Sequence, residues 1–241
     1  THQPYAGVSS FSHKAGLHAS ALKVSQDLYN HIDPEVVGND MRILVTEMAG
    51  RASIELKSRE LGYDLSGDPE AVSGLVDRVK GLEAEGWSFE AADASFELML
   101  LDQTRQLNQE YELESWRTIV ERRENGDVVS EATVKLKMGD VREISTAEGN
   151  GPVNALNVAL RQALYIDFPQ LRKIHLSDYK VRILDVRSGT GATTRVLIDS
   201  QSLHDSWSTV GASSNSIEAS LQALINSIEY GLTLQRATKE K

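Results

Sequence analysis

The chain has 241 residues, no cysteine, 25 basic and 35 acidic side chains, and therefore a formal net charge of −10. Zero cysteine excludes disulfides, thiolate metal sites and cysteine nucleophiles, and an acidic surface repels phosphate backbones and anionic lipid, which argues against nucleic-acid and membrane-surface binding. The apolar fraction of 40% is ordinary for one or two globular domains, and no apolar run approaches the roughly 18 residues of a membrane span. A disulfide-free acidic chain fits a cytoplasmic address. Thr1-His2-Gln3 offers no basic start and no greasy stretch, so no signal peptide is expected, and the missing initiator Met implies a piece of a longer chain.

The charge divides the chain. Residues 1–62 have a net charge of −1, residues 63–110 of −8 and residues 111–241 of −1, which implies two functional units joined by a solvated helical region. Asp33-Pro34 is a helix start, since proline in the first turn loses no needed N–H. Leu44, Val45, Met48, Ala52 and Leu56 recur at spacings of three and four, predicting an amphipathic helix within 40–60 that Gly50 can break and Gly62 stops. Asp68-Pro69 opens another, with Val72, Leu75, Val76, Val79 and Leu82 as its stripe and Gly86 at its end. The helical pattern continues over 89–103 through Phe89, Ala92, Phe96, Met99 and Leu100.

After Asn108 the period changes. Ala132, Val134, Leu136 and Met138 alternate with charged or polar residues, a strand with one wet face, and Asn125-Gly126 before it is a hairpin turn signal. Val153, Leu156, Leu160 and Leu164 return to helical spacing behind Gly149-Asn150-Gly151-Pro152. Strand patterns resume at 179–187 and 193–199, with a Gly189-Thr190-Gly191 hairpin turn between them, then near 206–211, before a helix carrying Ile217, Leu221, Leu224, Ile225 and Ile228. Val153, Ala155, Ala159 and Leu160 map onto Ile217, Ala219, Ala223 and Leu224 at a constant offset of 64. Each helix follows three strands, so the tail reads as two βββα units whose sheets each need one face covered.

Four of the six histidines lie in the first 31 residues, two of them in Phe11-Ser12-His13-Lys14-Ala15-Gly16-Leu17-His18-Ala19-Ser20-Ala21. Read from the residues alone, two imidazoles five apart around a lysine could bind a metal, move protons, hold an anion or simply decorate a surface loop. The spacing does not match a helical H-x-x-x-H metal pair.

This motif, with Tyr29-Asn30-His31-Ile32-Asp33-Pro34-Glu35-Val36-Val37-Gly38-Asn39 and the run Arg42 to Ala52, closely resembles the region after the catalytic barrel in the citramalate, 2-isopropylmalate and homocitrate synthase family. The resemblance resumes at Gly149 to Leu156, at Asp178 to Asp185 and at Trp207-Ser208-Thr209-Val210-Gly211, blocks most similar to the citramalate branch. It implies a chain without the barrel. It implies an α/β (α+β) fold, a mainly helical linker part at 1–108 followed by a regulatory, dimerising and effector-binding domain of two βββα units at 109–241. The family's divalent metal sits on the barrel, so no metal ligand and no cofactor is expected in this chain.

Two residues carry over by motif position. His18 is the second imidazole and Tyr29 lies eleven residues later, the pair that in the family enters the partner subunit's active site. There acetyl-CoA and a 2-oxo acid undergo a Claisen condensation, with the imidazole moving a proton near the acetyl group and the phenol positioning it. His13 and Lys14 are expected to shape the loop or lie on the surface. The resemblance further implies a homodimer and feedback by an amino acid, isoleucine in the citramalate branch or leucine in the isopropylmalate branch. Free N–H groups at the helix start suit a carboxylate, which singles out Asn150, Gly151 and Asn154, with Ala155 keeping space open; these can equally be ordinary helix-cap residues. A second such start lies at Ser213-Ser214-Asn215. The alternatives are a 2-isopropylmalate or homocitrate synthase piece, or a free-standing amino-acid-binding dimerisation module.

Overall fold

A computed structural model of the chain describes residues 3–7, 9–14, 16–22, 32–46 and 48–239. The chain divides into two units, residues 1–106 and 107–241. The first is mainly helical and the second is sheet-rich, so the fold is α+β.

In the first unit, β1 (Ser12–His13) runs parallel to β2 (Arg42–Ile43), with Ser12 opposite Arg42 and His13 opposite Ile43. The N–H groups of Arg42 and Leu44 donate to the carbonyls of Phe11 and His13 at 3.0 and 2.9 Å. Those amides are spent on the ladder, so the helix expected within 40–60 forms only in its second half, as α2 (Arg51–Glu60) with Gly50 as its extended N-cap. Met48, placed in the apolar stripe by spacing, is instead 57% exposed. α1 (Gly16–Leu22) follows β1. In α3 (Pro69–Ala84) the Asp68 carboxylate caps the N–H of Ala71 at 2.9 Å, and Val72, Leu75, Val76 and Val79 are buried as their spacing predicts. α4 (Asp93–Gln103) starts later than periodicity alone indicates. Residues 89–92 form a turn that buries the Phe89 ring against Trp87, centroids 6.2 Å apart. Lys57 is almost completely buried, its ammonium 2.9 Å from Glu60 and 2.9 Å from Asp93, which ties α2 to the start of α4.

In the second unit, β3 (Glu112–Arg122), β4 (Val128–Met138) and β5 (Val141–Gly149) form one antiparallel sheet in that order, followed by α5 (Pro152–Leu164). β6 (His175–Ile183), β7 (Thr194–Gln201) and β8 (Ser206–Ser213) form the second, followed by α6 (Ser216–Lys239). Gly126 turns the first hairpin at φ +91°, a conformation that favours glycine. The β6–β7 connection is longer than a tight turn, since Gly189 and Gly191 lie in a 3-10 segment, Val186–Gly191. α5 covers β4 and β5, α6 covers β7 and β8, and the two helices touch.

The repeat seen in the helices extends into the strands. Ser130, Ala132, Val134 and Leu136 on β4 are matched, 64 residues on, by Thr194, Val196, Ile198 and Ser200 on β7, and all eight are buried. The first strand of each sheet also carries one irregularity at the same place, between Leu113 and Ser115 and between Leu176 and Asp178. Two βββα units thus share one pattern of inward faces, each sheet closed by its own helix.

Candidate functional site

The second unit contains a cavity of about 720 Å³ at the start of α5, within the size range of small-ligand sites. Its near wall is the turn Asn150-Gly151-Pro152 and the first helical turn through Asn154. Gly149 fixes how tightly that turn folds: a Cβ there would lie 2.5 Å from the Ala155 nitrogen and 2.6 Å from the Asn154 Oδ1. Pro152 stands in the first turn, and no side chain caps the helix at Gly151. The Asn154 side chain instead folds back to accept from the Asn150 N–H at 3.2 Å. The first N–H groups of a helix have no carbonyl within it to bond; Pro152 has none to offer and the Ala155 N–H donates to the Gly151 carbonyl at 2.9 Å, which leaves the amides of Val153 and Asn154, two residues that line the cavity at the positive end of the helix dipole.

The far wall comes from other elements. Arg161 on α5 donates from Nη1 to the carbonyls of Leu171 and Ile174 at 3.1 and 2.8 Å and from Nε to Asn157 Oδ1 at 3.0 Å, holding the 3-10 segment Pro169–Lys173 in place. The Arg172 guanidinium lies 5.1 Å from the centroid of the Tyr165 ring. Ile174, Leu176 and Leu224 supply apolar surface, and Tyr179 reaches in from β6 with its hydroxyl 2.7 Å from Ser220 Oγ. The combination is a set of hydrogen-bond donors at one end and a greasy wall at the other, which suits a small amphiphilic anion.

Asn150, Gly151 and Asn154 therefore come together on one wall, as their spacing around the helix start implies. Ala155 does not line the cavity. It faces the sheet, fully buried, and its backbone packs under Gly149. The second helix start offers no equivalent donors, because Asn215 Oδ1 already accepts from the N–H groups of Ile217 and Glu218 at 2.9 and 3.3 Å. Sequence reasoning missed Arg161, Arg172, Ile174 and His175, which lie outside the helix-start motif; Tyr179 stood in a quoted block without being read as part of a site.

In the first unit His18 sits on α1, half-buried, its ring centroid 6.4 Å from that of His13 in an edge-to-face arrangement. Tyr29 lies outside the described residues, so the structure does not place it against His18. Lys14 is half-exposed, 3.6 Å from Glu90, a surface pair of small energetic weight. Among the described residues no group of three or more His, Asp or Glu side chains could hold a metal ion, and no helix is long and apolar enough to cross a membrane.

A duplicated α+β domain with a ligand-sized cavity at one helix start is the class that this geometry defines. Comparison with known proteins makes it specific. Residues 90–232 match the LeuA allosteric (dimerisation) domain, and residues 6–86 match a homocitrate synthase post-HMGL domain-like model. The chain belongs to the family that carries the LeuA allosteric domain. A protein of Streptomyces coelicolor named (R)-citramalate synthase is 58% identical over 96% of this chain, and proteins of the same name in Geobacter sulfurreducens and Aquifex aeolicus are 41% and 43% identical over 96% and 95% of it. The chain spans 44% of the length of each of these relatives, in their C-terminal part.

Proposed function

We propose that this chain is the regulatory and accessory part of a cytoplasmic, homodimeric acyltransferase that condenses acetyl-CoA with pyruvate to (R)-citramalate, on the way to isoleucine. The observation that carries the reading is the 58% identity, over 96% of the chain, to a relative named for that reaction. The substrate pockets and the divalent metal belong to the longer protein, and this chain alone turns over no substrate. In the condensation a proton leaves the acetyl methyl, the resulting enolate attacks the ketone of the 2-oxo acid, the new alkoxide takes up a proton, and water cleaves the thioester of the adduct to release CoA. His18 moves a proton beside the acetyl group and Tyr29 positions that group, both in the pocket of the neighbouring subunit. His18→Ala in the full-length enzyme lowers kcat by about 10²- to 10⁴-fold, the usual weight of a positioned acid or base. Turnover close to the parent value removes His18 from the chemistry.

The cavity at the start of α5 is the effector site, with isoleucine as its ligand. Its carboxylate meets the uncapped helix start and its side chain the wall of Ile174, Leu176 and Leu224. Calorimetric titration with isoleucine, leucine and lysine in turn tests this: heat from isoleucine alone supports it, heat from leucine moves the chain to the isopropylmalate branch, and silence for all three contradicts an effector role. Val181 and Ile183, 50% and 56% exposed on the helix-facing side of β6, support burial by a second copy. Sedimentation equilibrium yielding a dimer mass agrees with this, and a monomer at all concentrations contradicts it.

A further inference from the structure

The cavity at the start of α5 combines a greasy wall with the guanidinium groups of Arg161 and Arg172. Arg161, Arg172 and His175 line it beside the uncapped helix start, and among its described lining residues there is neither Asp nor Glu. This is uncommon ground in a chain of net charge −10. A free amino acid presents an ammonium as well as a carboxylate, and a desolvated ammonium calls for an anionic partner.

The internal repeat shows that such an acid has a place in this fold. Aligned on the shared irregularity in the first strand of each sheet, Trp116 on β3 occupies the position of Tyr179 on β6, and at the offset of 64 Glu218 on α6 occupies that of Asn154 on α5. In that half the indole Nε1 of Trp116 donates to Glu218 Oε2 at 3.0 Å. One half of the repeat therefore pairs a larger ring with a carboxylate, while the other leaves a smaller ring, a neutral amide and an open cavity.

We propose that the cavity recognises a small carboxylate with a branched apolar tail and makes no demand for an ammonium group, so that branched 2-oxo acids occupy it alongside the amino acid. The inference rests on the reading of this cavity as the effector site and extends it in ligand class. It means that the regulatory domain senses both sides of a transamination: the 2-oxo acid that an aminotransferase consumes and the amino acid it releases.

The test is calorimetric titration of the 241-residue chain with three probes: isoleucine, its 2-oxo counterpart 3-methyl-2-oxopentanoate, and 2-methylbutylamine, which keeps the tail and nitrogen but lacks the carboxylate. The expected result is a Kd for the oxo acid within about tenfold of that for isoleucine, and no heat from the amine. Asn154→Glu changes an exposed first-turn position where an acid is compatible with the helix dipole, so the variant folds. It installs the missing anion and weakens the oxo acid by at least about tenfold, and more than it weakens isoleucine. Isoleucine binding with an oxo acid more than about tenfold weaker overturns the inference and leaves the effector site standing. Oxo-acid binding without isoleucine binding removes the amino-acid reading and overturns the inference that both ligands share the site. Silence for both removes both, and heat from the amine also contradicts the inference.

Discussion

Glu229 on α6 is a carboxyl group in the wrong solvent. It is 5% exposed, its Oε1 has no hydrogen-bond partner, and burial raises its pKa to about 7 despite the opposing pull of the Arg236 guanidinium, with Glu110 adding a smaller upward push. The buried Tyr111 phenol faces the same site and is itself pushed well above its ordinary range, first by burial and then by the Glu229 charge. A raised folded-state pKa means that the native state holds this proton more tightly than the unfolded chain. Its stabilising contribution is present in full below the unfolded value of 4.5, is lost as pH rises towards about 7, and changes little beyond that. The loss is on the order of 3 kcal/mol. Urea melts of the native chain and of Glu229→Gln across pH 5 to 8 check it: the slope flattens in the variant, and an unchanged slope contradicts the assignment. Gly149 is a second site where a single atom decides. Gly149→Ala forces a Cβ against the Ala155 nitrogen, costs roughly 1–3 kcal/mol by overpacking, and disturbs the cavity wall, which denaturation and isoleucine titration of the variant read together.

At the scale of elements, α2 and α4 are held by the buried Lys57 ammonium between Glu60 and Asp93. Replacing both carboxylates with alanine leaves an unpaired buried cation and costs about 3–5 kcal/mol, more than the two half-exposed acids would cost on a surface. Thermal unfolding of Glu60→Ala/Asp93→Ala measures it, and a loss below about 1 kcal/mol contradicts a structural role for the pair. The same scale explains what the sequence conveyed and what it withheld. The stripes of α3 and α5 could be read directly in their middles, because Val72, Leu75, Val76 and Val79, and Leu156, Leu160 and Leu164, each fall on one buried face, while Leu82 and Val153 at the ends are only part-buried. The front half of the 40–60 pattern could not, since the amides of Arg42 and Leu44 bond to a segment some thirty residues earlier. Phe89 and Ala92 extend the apolar period of α4 but sit in a turn, where burial of a ring rather than helix geometry places them. The near wall of the cavity was written in Gly149-Asn150-Gly151-Pro152. Its far wall was not, because Arg161, Arg172 and Tyr179 meet only through a carbonyl clamp, a ring contact and a strand register.

At the scale of the whole molecule, duplication supplies the scaffold and divergence supplies the site. The same inward positions recur across both βββα units, while one helix start is capped by Asn215 and the other is left open. The histidine motif lies in the other unit, residues 1–106. Hydrogen–deuterium exchange of this chain with and without isoleucine most directly tests the claim that the open helix start is where regulation enters. The account predicts slowed exchange in residues 150–157 and 172–179, the two walls of the cavity. Unchanged exchange there, with protection confined to other segments, contradicts it.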